Sequence, residues 1–186
     1  MEEYCARIES EGVMFKVGDI VIYGTHGICR VESVGPLPMA YADKHKQYYT
    51  LHPYYQREMV IYAPTDNETI VLRQPITKEE AAALIQAIPV LEEVWIPHEK
   101  ERELQYRQAL HSCDCEGLVR IIKTLHKRRQ IRQQSGKRGT AVDDRYFRMA
   151  EDQLYGELAY VLEMDRAAMP EYISARIEPA GADAAK

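Results

Sequence analysis

In Ile70-Val71-Leu72-Arg73-Gln74-Pro75-Ile76-Thr77-Lys78-Glu79-Glu80-Ala81-Ala82-Ala83-Leu84-Ile85-Gln86-Ala87-Ile88-Pro89 the apolar residues change their spacing. After Arg73 the hydrophobic period moves from two, the period of a strand, to 3.6, that of a helix. Thr77 can cap the helix, and Glu80 stands at the reciprocal position of a capping box. Ala81, Leu84, Ile85 and Ile88 then share one face, and Pro89 stops the helix. Two halves of different architecture meet here.

Upstream, short β-branched and aromatic runs alternate with turn residues, giving strands at Asp19–Tyr23, Ile28–Val34, Gln47–His52, Met59–Tyr62 and Ile70–Arg73. Gly24-Thr25-His26-Gly27 connects the first two as a hairpin, and Pro36 to Lys46 forms a longer loop. Strands this short, within about sixty residues, are best accommodated by a small, strongly bent barrel of the SH3 or Tudor kind. Downstream, Pro97 suits the first turn of a helix reaching about Leu110, and Asp114 caps a third helix. In that third helix Leu118, Ile121, Ile122 and Leu125 form an apolar stripe, so Arg120, Lys123 and Lys127 are expected to face water. A loop from Gln133 to Thr140 precedes a fourth helix, read with Asp143 as its cap and Tyr146, Met149, Ala150, Leu154, Leu158 and Val161 along it. The expected fold class is α+β. It divides into an extension at 1–13, a small SH3/Tudor-like β-barrel at 14–75, an all-α helical bundle at 76–178 and a frayed tail at 179–186.

The chain has 186 residues, of which 46% are hydrophobic and 28% charged, the balance of a soluble globular protein. There is no run of 18 apolar residues, and Met1-Glu2-Glu3-Tyr4 lacks the basic start of a secretory signal, so a cytoplasmic protein without membrane association is expected. The net charge of 24 − 29 = −5 excludes a generic nucleic-acid coat. Its distribution is more informative. From Gly117 to Val142 no Asp or Glu occurs, while Arg120, Lys123, Lys127, Arg128, Arg129, Arg132, Lys137 and Arg138 are all cationic. Such a segment can meet phosphate, or it can be a solvated face.

Catalytic patterns are absent: the chain has no phosphate-cradling loop with its Lys, no nucleophile elbow and no His-Glu-x-x-His. No enzyme, cofactor or small-molecule substrate is expected. Cys5, Cys29, Cys113 and Cys115 are too unevenly spaced for a disulfide framework. Within His111-Ser112-Cys113-Asp114-Cys115, Cys-x-Cys spacing without a second Cys/His pair does not match a structural zinc site, and a helix–helix turn with two small residues is the simpler reading. Tyr48, Tyr49, Tyr54, Tyr55 and Tyr62 fall in the barrel, where they can form an aromatic cage for a methylated cation or pack the barrel and line a protein-binding face.

Two sets of residues together resemble the CarD-like (CdnL) family of bacterial transcription regulators. Phe15-Lys16-Val17-Gly18-Asp19-Ile20-Val21-Ile22-Tyr23 with His26-Gly27 is similar to the opening of that family's RNA polymerase-interaction domain, a Tudor-like barrel also found in transcription-repair coupling factors. Leu110-His111-Ser112-Cys113-Asp114, Ile121-Ile122-Lys123-Thr124-Leu125 with Lys127-Arg128-Arg129, and Ala150-Glu151-Asp152-Gln153-Leu154-Tyr155-Gly156-Glu157-Leu158-Ala159 are similar to its helical domain. No helicase motor accompanies them, which separates the chain from the coupling factors.

The resemblance implies a non-enzymatic regulator whose barrel docks on the RNA polymerase β subunit and whose helical domain touches promoter DNA at the upstream edge of the bubble, stabilising the open complex. It places the polymerase contact at Met59, Val60, Ile61, Tyr62, Ala63 and Pro64; Tyr62 stands where some members have an arginine. It places the DNA contacts at Lys123, Lys127, Arg128 and Arg129, then Arg132 and Lys137, with Trp95 as a wedge in the minor groove. Burial in the core is the alternative for Trp95. For the whole chain the alternative is a protein–protein adaptor that binds polymerase or another partner, its cationic helix a solubilising face.

Overall fold

The computed structural model describes residues 15–37, 39, 43–56, 58–94, 96 and 98–177. The expectations for residues 1–13, for Trp95, for Pro97 and for the tail at 179–186 lie outside the described residues.

Five strands, β1 (Ile20–Tyr23), β2 (Ile28–Gly35), β3 (Tyr48–Pro53), β4 (Ile61–Pro64) and β5 (Leu72–Arg73), form one antiparallel sheet in the order β4-β3-β2-β1-β5. The register places Val21 opposite Cys29, Arg30 opposite His52 and Tyr49 opposite Ala63. A register shift in β2 between Val31 and Ser33 bends the ribbon. In β3 alternate residues turn inward, so Tyr49 and Leu51 join Phe15, Val21, Tyr23, Cys29, Val31 and Ala63 in a core inside the curve. The barrel expected from the sequence is not closed. β4 and β5 are the two edges and do not pair with each other, and β5, only two residues long, has few ladder positions to offer.

β1 departs from simple alternation. Val21 and Tyr23 enter the sheet core, while Ile22 joins Ile28 and Cys113 in a second cluster beneath the helices. An uninterrupted apolar run, Ile20-Val21-Ile22-Tyr23, suits a strand covered on both faces.

The helices are α1 (Lys78–Ala87), α2 (Glu99–Ser112), α3 (Cys115–Gln134), α4 (Ala141–Val161) and α5 (Met169–Ile177). The capping box of α1 is complete: the Glu80 amide donates to the Thr77 hydroxyl at 3.1 Å, and the Thr77 amide donates to the Glu80 carboxylate at 2.7 Å. Asp114 caps α3 by accepting from the Gly117 amide at 2.8 Å. The cap of α4 is Thr140, not Asp143, and the helix starts earlier than expected. The Thr140 hydroxyl accepts from the Asp143 amide at 3.1 Å, which leaves the Asp143 carboxylate free to pair with Arg128. Helices α1 to α5 share one apolar core containing Ala81, Leu84, Ile85, Tyr106, Leu110, Leu118, Ile121, Leu125, Tyr146, Ala150, Leu154, Leu158, Met169 and Ile173. Burying one such Leu or Ile contributes roughly 1.5–3 kcal/mol, so the packing of the helices rests on this core. No helix among the described residues is long and apolar enough to cross a membrane.

Candidate functional site

Strand β4 pairs with β3 on one side and leaves its other edge open. Alternation along it buries Ala63 in the sheet core and leaves Ile61 and Pro64 half-buried. Tyr62 is 38% exposed, and Met59 and Val60, just before the strand, are 40% and 42% exposed. The six residues expected to contact polymerase therefore divide. Met59, Val60 and Tyr62 present an apolar surface beside an unpaired backbone, while Ala63 holds the strand to its sheet.

The cationic segment is less free than its sequence suggests. The chain following α1 lies across α3. The Lys123 ammonium donates to the carbonyls of Ile88 at 2.8 Å, Pro89 at 3.4 Å and Leu91, closing the end of α1. Thr124 accepts from the Val94 amide at 2.9 Å, Arg120 donates to the Glu92 carbonyl at 3.4 Å, and Lys127 pairs with Glu93 at 3.3 Å. Lys123 is thus not a water-facing cation. A helical stripe shows which side of α3 avoids the bundle core, but not that a second segment covers that side. Arg128, half-buried, pairs with Asp143 at 3.2 Å, and Arg132 donates to the Arg138 carbonyl at 2.7 Å, bracing the loop before α4. Lys127, Arg129, Lys137 and Arg138 are exposed. Trp95 lies outside the described residues.

The tyrosines do not converge as a barrel cage. Tyr49 is in the core and accepts from the Phe15 amide at 3.2 Å, and Tyr62 is on the β4 edge. Tyr54 instead stacks edge-on against Tyr55, with ring centroids 5.1 Å apart, and against Tyr160 of α4, at 5.2 Å, along a cleft of about 540 Å³. The cation there is the protein's own: Arg166 lies over Tyr55 at 5.3 Å and is held by Asp152.

Cys113 and Cys115 are also engaged. The Cys113 thiol donates to the Gly24 carbonyl at 3.2 Å, and the Cys115 thiol donates to the Glu157 carboxylate at 3.4 Å. Burial pushes the Cys113 thiol up to about 11 and raises Cys115 well above its ordinary value. Both thiols therefore serve as hydrogen-bond donors in a helix–helix turn. No group of three His, Cys, Asp or Glu side chains suited to a metal ion occurs among the described residues.

Sequence reading passed over a polar junction between the sheet and the helices. Arg73, in β5, grips Glu157 of α4 with both guanidinium nitrogens at 2.6 and 2.7 Å and donates to the Cys113 carbonyl at 2.6 Å. Glu157 is 1% exposed and also accepts from the Ile76 amide at 2.9 Å. Burial alone would weaken the charge on Arg73; hydrogen bonding and attraction from Glu157 outweigh it and keep the guanidinium firmly protonated. A signal was present in Gln153-Leu154-Tyr155-Gly156-Glu157, where two polar residues and a glycine fall at i, i+3 and i+4 on one face of an otherwise apolar helix.

No curated protein matches the chain. Residues 15–76, which carry all five strands, match the family model described as the CarD-like/TRCF RID domain. The open antiparallel sheet with its apolar free edge is thus carried on a stretch similar to the CarD-like/TRCF RID domain, an RNA polymerase-interacting domain.

Proposed function

We propose that the protein is a non-enzymatic transcription regulator that docks on the RNA polymerase β subunit through the free edge of β4 and holds its helical half beside promoter DNA at the upstream edge of the bubble. The observation that carries this reading is the open β4 edge, flanked by exposed Met59, Val60 and Tyr62, within an RNA polymerase-interacting domain. An unpaired edge offers backbone donors and acceptors to a partner strand, and apolar side chains beside it supply burial and register. The β subunit and the promoter position rest on the family resemblance.

On the DNA side, exposed Lys127, Arg129, Lys137 and Arg138 supply a sequence-tolerant grip on phosphate. Four such contacts alone are weak and salt-sensitive. Docking on polymerase compensates, because tethering raises the effective concentration of the helices at the DNA to about the millimolar range. A differential of about 1.4 kcal/mol between open and closed complex shifts their ratio roughly tenfold. The wedge role of Trp95 rests on the resemblance alone.

A second reading, an adaptor without DNA function, is favoured by the intramolecular use of Lys123, Arg128 and Arg132. Two variants test both. Val60→Asp with Tyr62→Asp is expected to keep native circular dichroism and lose co-purification with the β subunit. Lys127, Arg129 and Lys137 reversed to Glu are expected to keep polymerase binding and lose the extension of open-complex lifetime. A folded edge variant that still co-purifies refutes the docking surface. A charge-reversed variant with unchanged open-complex lifetime establishes the adaptor.

A further inference from the structure

We propose that Arg73 and Glu157 are positioning residues that lock the sheet and the helices into one rigid body, so that docking at β4 fixes where the helical half meets DNA. This inference rests on the proposed function and adds the means by which its two halves act together.

Among the described residues, hydrogen bonds hold the halves together from three different parts of the sheet. At the turn between β1 and β2, the Gly24 carbonyl accepts from the Cys113 thiol at 3.2 Å and from Gln153 at 3.3 Å. From the loop after β3, the Tyr55 hydroxyl donates to the Gly156 carbonyl at 3.1 Å. From β5, Arg73 binds Glu157 and the Cys113 carbonyl. Rotation about any one attachment breaks the other two.

The same carboxylate pins the covalent connection. Ile76, between β5 and α1, donates its amide to Glu157, so the segment that would serve as a hinge is tied to α4. Domains joined through small polar interfaces ordinarily move relative to one another. Here Gln153, Gly156 and Glu157 present one stripe of α4 to the sheet, and a cluster of Ile22, Ile28 and Cys113 excludes water beside it. A buried ion pair of this kind adds little net stability over apolar packing, but its fork permits one relative orientation. Lysine, with a point charge and no fork, cannot impose that orientation.

The test compares the wild type with Arg73→Lys. Spin labels are placed at exposed Glu68→Cys and Gln130→Cys in a Cys5→Ser chain, and their separation is measured by pulsed electron resonance. The wild-type protein is expected to give one narrow distance. Arg73→Lys is expected to keep native circular dichroism and wild-type polymerase affinity, to broaden the distance distribution, and to lose most of the extension of open-complex lifetime. A broad wild-type distribution overturns the proposal without recourse to any variant. So does a folded Arg73→Lys protein with a narrow distance and full effect on the promoter. A wild type with one narrow distance that fails to bind polymerase refutes the proposed function and leaves the rigid junction standing.

Discussion

Replacing Lys123 with methionine separates a structural cation from a DNA-binding one. The methionine keeps most of the apolar stem but removes the ammonium that donates to the carbonyls of Ile88, Pro89 and Leu91. Ile88 is the C-cap residue of α1, whose last carbonyls have no intrahelical partner. A hydrogen bond to a charged group contributes about 1.5–3 kcal/mol net, and one at a helix C-terminus adds roughly 0.3–1 kcal/mol through the dipole. Three contacts from one ammonium are not additive, and water can reach some of the freed carbonyls. The expected loss is therefore about 2 kcal/mol. With a urea slope of about 2 kcal/mol/M, the unfolding midpoint should fall by about 1 M. Lys127→Met is the internal control. Its pair with Glu93 is exposed and screened by water, so its midpoint should barely move. Equal midpoints for the two variants would refute the assignment of Lys123 to the fold and return it to the DNA-binding set.

Two further outcomes follow from close packing and from burial. Gly156→Ala places a Cβ 3.2 Å from a Tyr55 ring that is also bonded to the Gly156 carbonyl. It should therefore lower unfolding free energy, rather than yield the roughly 1 kcal/mol that alanine gains over glycine in an open helix; in a Tyr55→Ala background it should stabilise. A stabilised single mutant by thermal unfolding would show that the ring yields. Burial holds the Cys29 thiol at about 12 and Cys113 at about 11, above the ordinary thiol value of 9.0. Because the folded values lie above the unfolded one, the unfolded chain releases protons first as pH rises. Stability should be complete below about pH 9 and decline as pH passes from there through 11 to 12. Urea midpoints measured from pH 8 upward check this, and a Cys29→Ala chain with an identical decline would assign the loss to other groups.

How far the residues alone carry the reading depends on how local each interaction is. Thr77 and Glu80 complete their capping box across three positions, and Asp114 caps α3 across three, so both helix starts are legible in order along the chain. The change of period after Arg73 likewise separates strands from helices, and the matching of residues 15–76 to an RNA polymerase-interacting domain is carried by the strand region itself. Even local reading faltered where two caps compete: Thr140 and Asp143 both qualify, and Arg128, fifteen residues from Asp143, withdraws the carboxylate.

Tertiary structure decided what each charge does. The eight cations between Gly117 and Val142 look alike in sequence. Folding lays the segment from Ile88 to Val94 over α3 and converts Lys123 into a helix cap, more than thirty residues from its acceptors. The junction of Arg73 with Glu157 spans 84 positions, and no periodicity within either element announces the other. The openness of the sheet was equally hidden, because strand propensity is a property of single segments, whereas closure depends on whether β4 and β5 reach each other around the curve. Sequence patterns determine faces and ends of elements because those depend on neighbours three or four residues away; which polar group meets which, and which edge stays free, depends on how the elements are brought together in space.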